Sequence, residues 1–373
     1  MKIAFTAPMK PLDHPVPSGD RTMGRLIVKA LETNGHDVQI ASTFRSWRKD
    51  GADAIQRDVR SQALEEAGRI ANAWKSAGYR PDVFLTYHLY HKAPDWIGPA
   101  LSDRFGLPYA VVEASRAPKR QSGNWAFGFA AADQALARAD AVAAIHNADV
   151  ACLRPVVEPE RLQVLQPFLD AAPFQAVAQK ATSPASAPLK LLAVGMMREG
   201  DKQRSFEVLA QALDELASLP WHLTLIGDGP AKDHILGLFP PQRTTWLGVL
   251  PADRLPDQYA VHDLLVWPAI REAFGLALLE AQASGTGVIA GDTFGVPDIV
   301  RDGETGLLSP EGDAGAFAAN LRRVIEDPDL ADELGQAAQA HIAANHTLSA
   351  GAARLEKLLQ RAIGNRRQRA SEQ

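Results

Sequence analysis

The sequence predicts an α/β protein made of two doubly wound, Rossmann-like domains that face each other across a cleft. Three observations carry that expectation. The chain has 373 residues, more than one hydrophobic core ordinarily serves. Segments of strand character alternate with segments of helical period along most of it, the pattern of parallel sheets with helices on both faces. The rhythm breaks once, at residues 171–188, where Ala, Ser and Pro dominate, and then restarts. The expected division is a domain at 1–170, a linker at 171–188 and a second domain at 189–349. A C-terminal helix near 350–365 is expected to pack back on the first domain.

The elements follow in order. A first strand runs Lys2–Ala7 and leads into a proline-rich loop ending Pro17-Ser18-Gly19-Asp20. Met23, Leu26, Ile27, Ala30 and Leu31 then recur at the spacing of one buried helix face, and Gly35 stops the helix. Strand Asp37–Ser42 completes a βαβ unit. A long helix is expected over Ala52–Ala77, and strands at Asp82–His88, Tyr109–Ser115, Ala141–His146 and Leu162–Gln166. Beyond the break, strands are expected at Lys190–Val194, His222–Gly227, Thr244–Leu247, Asp263–Pro268 and Gly287–Ala290. Helices are expected at Ser205–Ala217, Phe274–Ser284, Ala314–Ile325 and Leu330–Ala344, and the basic end Gly364–Gln373 is expected to fray.

Composition excludes several classes. The net charge of −5 lacks the basic excess of a nucleic-acid binder. One cysteine, Cys152, permits neither an internal disulfide nor a thiolate metal cage, which suits a reducing cytosol. The first apolar run is too short for a signal peptide, and no stretch approaches the ~20 apolar residues of a membrane helix. A soluble, cytoplasmic protein is expected, at most peripheral at the inner face of a membrane. Arg45, Arg48 and Lys49 are the basic residues that could touch such a surface, although charge clusters of this kind are usually solvated faces.

The strongest chemical signal is Trp267-Pro268-Ala269-Ile270-Arg271-Glu272-Ala273-Phe274-Gly275-Leu276-Ala277-Leu278-Leu279-Glu280-Ala281. Glu272 follows a strand, and Gly275 opens a helix whose first amides are unpaired and suit a phosphate. Glu280 lies in an apolar run, where a carboxylate is costly unless it accepts hydrogen bonds, for example from sugar hydroxyls. On spacing alone, a dipole-favoured Glu272 and a solvated Glu280 explain the pair equally well.

With its Phe-Gly helix start, this glutamate pair resembles the signature of the retaining glycosyltransferases of family 4, which have the GT-B fold. Gly295-Val296-Pro297-Asp298-Ile299-Val300 and Gly303-Glu304-Thr305-Gly306-Leu307-Leu308 extend the resemblance, which covers nearly the whole chain. The resemblance implies that Glu272 faces the transferred sugar and that Glu280 holds the nucleotide ribose. It implies that Phe274, Gly275 and Leu276 belong to the donor site, the Gly275 and Leu276 amides on the diphosphate. Val194-Gly195-Met196-Met197-Arg198-Glu199-Gly200-Asp201-Lys202 looks like a P-loop, but the spacing to Lys202 is off by one, and Gln203 stands where a magnesium-binding Ser or Thr belongs. The family places an arginine and a lysine here on the diphosphate. Lys202 matches the lysine. Met196 stands in the arginine's place, which leaves Arg198 and Arg204 as candidates for that contact.

The resemblance further implies a donor-side or acceptor-side loop at Gly19, a turn near the nucleotide at Gly227-Asp228-Gly229-Pro230, and base readout by backbone near Leu250 in Trp246-Leu247-Gly248-Val249-Leu250. His88 and His91, in Tyr87-His88-Leu89-Tyr90-His91, are expected on the acceptor side. As a metal pair they lack a third ligand nearby. Where family members carry a histidine after the following strand, this chain has Glu113, expected to orient or deprotonate the acceptor hydroxyl. The expected activity is transfer of a hexose from a nucleotide-sugar donor to a lipid, polysaccharide or small-metabolite hydroxyl, with retention and without a metal or other cofactor. Asp327-Pro328-Asp329, the one Asp-x-Asp triplet, falls between predicted helices and reads as a cap. A nucleotide-sugar epimerase on the same fold and a non-catalytic nucleotide-binding scaffold are the alternatives.

Overall fold

The computed structural model describes residues 1–16, 18–177, 188–327 and 329–372. Most of the expected linker therefore lies outside the described residues, as does Pro328 of the Asp-x-Asp triplet. The chain divides into two compact units, Met1–Pro167 with Leu348–Gln373, and Phe168–Thr347.

The first unit contains strands β1 (Lys2–Thr6), β2 (Asp37–Ser42), β3 (Val83–Leu89), β4 (Tyr109–Ala114), β5 (Ala141–Ala144) and β6 (Leu162–Val164). Between them run helices α1 (Gly19–Thr33), α2 (Asp53–Ser76), α3 (Ile97–Phe105), α4 (Ala126–Arg138) and α5 (Asn147–Leu153). The strands pair in parallel in the order β2-β1-β3-β4-β5-β6. Their central residues are wholly buried, as strands covered on both faces require: Ile3, Ala4 and Phe5 in β1, Val83, Phe84 and Leu85 in β3. In α1 the buried residues include Met23, Ile27, Ala30 and Leu31, the face that the spacing predicts. Ser18 caps that helix by accepting from the Arg21 amide at 3.3 Å.

The second unit opens with the short helix α6 (Ala172–Gln175) and then contains β7 (Leu189–Val194), α7 (Asp201–Asp214), β8 (Trp221–Ile226), α8 (Lys232–Leu236), β9 (Thr244–Trp246), α9 (Leu255–Val261) and β10 (Leu264–Trp267). It continues with α10 (Leu276–Ala283), β11 (Gly287–Asp292), β12 (Leu307–Pro310), α11 (Ala314–Glu326) and α12 (Asp329–Asn345). All neighbours are parallel in the order β12-β11-β10-β7-β8-β9.

These two orders fix where chemistry can happen. In the first sheet the chain steps outward to β2 and then back across β1 to β3. In the second it runs outward to β9 and then returns to place β10 beside β7. At each reversal the loops leaving the two neighbouring strands diverge to opposite faces and leave a crevice at the strand C-termini. The loops after β1 and β3, and those after β7 and β10, are therefore the places to look.

One expectation is corrected. The basic stretch from Gly364 is helical as far as Ser371, where helix α13 (Leu348–Ser371) of the first unit ends. Leu355, Leu358, Leu359 and Ala362 are buried along it. Beyond Gly364, Asn365 donates to the Asp140 carbonyl at 2.8 Å, and Arg369 reaches the Asp140 carboxylate and the Arg138 carbonyl, each at 3.2 Å. A wholly buried Asp140 needs such cationic partners, and they hold the last turns in place.

Candidate functional site

In the second unit, β7 ends at Val194 and its loop turns at Gly200, whose φ of +89° only glycine adopts cheaply. Lys202 stands on the first turn of α7, the helix having begun earlier than the expected Ser205. The neighbouring strand β10 delivers Trp267 and, five residues on, Glu272. Lys202 Nζ donates to Glu272 Oε2, the same oxygen that accepts from Trp267 Nε1 at 3.3 Å. The ammonium also lies 5.0 Å from the centre of the Trp267 ring, and Phe206 packs its ring edge-on to that indole at 5.1 Å. Gly195 leaves room for the indole, since a Cβ there would lie 3.0 Å from it. An aromatic platform thus fixes a cation and a carboxylate at the strand-order reversal.

Gly275 is the N-cap of α10, with φ +59°. Its carbonyl accepts from Leu278 and Leu279 at 2.9 and 3.0 Å, so the amides of Leu276 and Ala277 precede the first donors of the helix. A Cβ at 275 would come within 2.7 Å of Ile299 Cδ1 and 3.0 Å of Leu278 Cδ1. Gly275→Ala is therefore expected to cost about 1–3 kcal/mol of stability from backbone strain alone and to displace those amides. A thermal melt of the variant checks it; an unchanged melting temperature would show the position to be unconstrained. Phe274 is buried beside this turn.

Glu280, one turn into α10, is half-buried and accepts from the Tyr259 hydroxyl at 2.8 Å. Burial raises its carboxyl to about 7, against the lowering effect of Tyr259. The turn Gly227-Asp228-Gly229 closes on the β7 loop, with the Met197 amide donating to the Asp228 carbonyl at 3.0 Å. It also meets the β9 loop, where the Gly227 amide donates to Gly248 at 2.8 Å. Leu250 is half-buried in that last loop, next to an exposed Val249. The Arg198 side chain is exposed and makes no hydrogen bond or ion pair among the described residues, while Arg204 pairs with Asp201.

In the first unit, Gly19 begins α1 and Asp20 sits on its first turn. His88 and Glu113 occupy the ends of β3 and β4, with φ of +62° and +58°. The flanking pairs Tyr87–Val112 and Leu89–Ala114 set the two residues opposite one another. Non-glycine residues rarely hold this conformation, and here it turns both side chains to one place. His88 Nδ1 lies 3.1 Å from Glu113 Oε1 and 3.2 Å from Asp20 Oδ1. Burial lowers the imidazole, but Glu113 and Asp20 outweigh it and raise His88 to about 9. Burial raises Glu113 to about 8 against the pull of His88. Donor atoms of Asp20, His88 and Glu113 all lie within 4.8 Å of one another. The close partners of His88 are these two carboxylates and not His91. The His91 ring packs edge-on against Tyr90 at 5.2 Å and Trp125 at 5.5 Å.

Residues 182–341, which carry Lys202, Glu272, Gly275 and Glu280, match the family described as glycosyl transferases group 1. The match lies within the second unit. Among its relatives is a sulfoquinovosyl transferase from Arabidopsis thaliana, 34% identical over 155 residues, which are 41% of this chain and 30% of the relative. A D-inositol 3-phosphate glycosyltransferase from Streptomyces bingchenggensis is 27% identical over 315 residues, 77% of this chain and 68% of that one. The fold is shared by a sucrose-phosphate synthase from Thermosynechococcus elongatus, with TM-score 0.74, 21% identity and coverage of 97% and 99% of the two chains. It is also shared by Anabaena HepE in complex with UDP, with TM-score 0.71, 17% identity and coverage of 96% and 100%. The two-sheet architecture is thus GT-B. Among the described residues no helix is long and apolar enough to cross a membrane.

Sequence reasoning missed Asp20 and Tyr259. Asp20 had a signal, since it follows the singled-out Gly19 at the start of a helix. Tyr259 had none, because only the packing of α9 against α10 brings it to Glu280.

Proposed function

We propose that the protein transfers a hexose from a nucleoside-diphosphate sugar to an acceptor hydroxyl, with retention of anomeric configuration and with side chains and amides, not a metal ion, stabilising the departing diphosphate. The observation that carries this reading is the Lys202–Glu272 pair on the Trp267 platform, set at the β7/β10 reversal beside the amino end of α10. Lys202 and the Gly275 and Leu276 amides supply positive charge where the leaving oxygen becomes negative. Glu272 holds Lys202 and faces the transferred sugar. Tyr259 occupies one oxygen of Glu280 and leaves the other for a ribose hydroxyl. The acceptor hydroxyl binds at Asp20, His88 and Glu113, which take up its proton or orient it, and retention follows from front-face attack, on the sugar face from which the diphosphate leaves and with the diphosphate assisting. Uridine is the favoured base, because structural neighbours of this fold are described in complex with UDP and with UDP-glucose.

The test is a thermal-shift screen against UDP, GDP, ADP, TDP and their sugar conjugates. A ligand at a hundredfold excess over its Kd stabilises the native state by about 2.7 kcal/mol. One nucleotide is expected to raise the melting temperature, and Glu280→Ala to abolish that rise. A screen in which no nucleotide shifts the wild type would remove the donor site and with it the proposal.

A further inference from the structure

The loops at the C-terminal edge of the first sheet carry a concentration of positive charge that the donor chemistry does not use. Arg45 and Arg48 lie in the loop after β2, Lys92 after β3, Lys119 and Arg120 after β4. Among the described residues none of these five has a carboxylate within ion-pair reach. Of the acids nearby in sequence, Asp53 pairs with Arg57, while Asp50 accepts from the Ala52 amide at 3.0 Å and offsets part of this charge. On a chain of net charge −5, five unpaired cations in one locality are a field that the fold does not neutralise.

The loops are built to hold these cations together. The Arg48 amide donates to the Lys92 carbonyl at 3.2 Å, and its guanidinium donates to the Arg45 and Trp47 carbonyls at 2.8 and 2.9 Å. Arg45 stacks on Trp47 at 4.4 Å, and Lys92 lies over Trp125 at 5.3 Å. At their centre His91 has neither ring nitrogen hydrogen-bonded. Burial, then Lys92, Arg120 and Lys119, lower its imidazole to about 4. A cavity lined by Ser46, Arg48, Gln56, His91, Lys92 and Trp125 lies beneath. Its volume of about 10 Å³ is that of one water, so a larger ligand sits at its mouth and not inside.

We infer that Arg48, Lys92 and Arg120, gathered around His91, form a phosphate-binding subsite that receives an anionic group of the acceptor. The inference rests on the reading that the first unit takes the acceptor. It deepens that reading, because the His88 and His91 rings both lie against the Tyr90 ring, at 5.1 and 5.2 Å. On the His88 side stand Asp20 and Glu113, with Asp149 also acting on His88, a set suited to hydroxyls. On the His91 side the charges that act on the ring are Lys92, Arg120 and Lys119. An acceptor with a hydroxyl at one end and a phosphate ester at the other satisfies both. The phosphate could belong to a soluble ester or to a lipid headgroup, and the chemistry at His91 is the same.

The experiment titrates the full chain with inorganic phosphate while the ring resonances of His91 are followed by NMR, with sodium chloride at equal ionic strength as control. A parallel arm measures sedimentation with vesicles of phosphatidylglycerol and of phosphatidylcholine. Phosphate is expected to bind saturably and to draw a proton onto His91. The double variant Arg48→Gln, Lys92→Gln is expected to weaken this about tenfold or more, as loss of charge-assisted hydrogen bonds does. Its response to nucleotide in the thermal shift shows that it folds, and keeps failure of the subsite separate from failure of the donor reading. Saturable phosphate binding supports a soluble ester. Binding to phosphatidylglycerol vesicles alone, lost in the variant, supports a lipid phosphate. If neither binds, or if chloride acts as well as phosphate, the subsite does not exist.

Discussion

Lys202→Ala is expected to lower the turnover of sugar transfer about 10²–10³-fold, the loss seen when one preorganised partner of a developing charge is removed. The reasoning starts from what the lysine does before any donor arrives. Its ammonium is already held by Glu272 and by the face of Trp267, so little ordering remains when the diphosphate leaves. An alanine removes the charge and also strips Glu272 of its cation, leaving a part-buried carboxylate next to a departing dianion. Lys202→Arg keeps the charge and can still stack on the indole, but its longer, forked head spreads the charge and does not place it where the ammonium meets Glu272. It is expected to recover only part of the rate. Glu272→Gln should lower turnover with little effect on nucleotide affinity, whereas Glu280→Ala should do the reverse. Steady-state kinetics together with nucleotide titrations check all of these. Full activity in Lys202→Ala would mean that the pair is merely structural.

How much of this was legible in the sequence differs between the two units. In the second, a single contiguous segment brings Glu272, Gly275 and Glu280 into register. A helix start and its spacing are local properties, so the sequence displays them directly. Lys202 was also visible, although α7 begins at Asp201 and not at the expected Ser205, because a glycine at positive φ lets the helix start early. Strand β12 (Leu307–Pro310) went unseen: it is short and ends in a proline that its edge position tolerates. In the first unit the partners Asp20, His88 and Glu113 come from three separate segments. Their meeting depends on the strand order and on two left-handed residues that no propensity would predict. The sequence marks His88 and Glu113 as candidates but not as neighbours. The C-terminal helix shows the opposite failure. Its basic end reads as a solvated tail, and the bond from Arg369 to the buried Asp140, made across a long sequence separation, has no local signal.

The meeting of His88 and Glu113 has a pH signature, and its sign can be worked out. Both groups have folded pKa values above their ordinary ones, His88 rising from 6.5 to about 9 and Glu113 from 4.5 to about 8. The native state therefore binds more protons than the unfolded chain between those limits, and stability falls as pH rises. The part from Glu113 is complete below 4.5 and lost as pH passes about 8, and the part from His88 is complete below 6.5 and lost as pH passes about 9. Glu113→Gln deletes the first part and lowers His88, which then keeps Asp20 as its closest carboxylate. Melting temperatures of the variant should decline less steeply than those of the wild type between pH 5 and 9. Catalysis should run the other way. A cluster that must accept a proton from the acceptor works only once it has lost its own, so turnover should climb from neutral pH towards the His88 value near 9. Glu113→Gln and His88→Gln should each cost about 10²–10⁴-fold and flatten that climb. If the variants instead keep the alkaline rise at reduced height, another group takes the proton, and the triad only positions the acceptor.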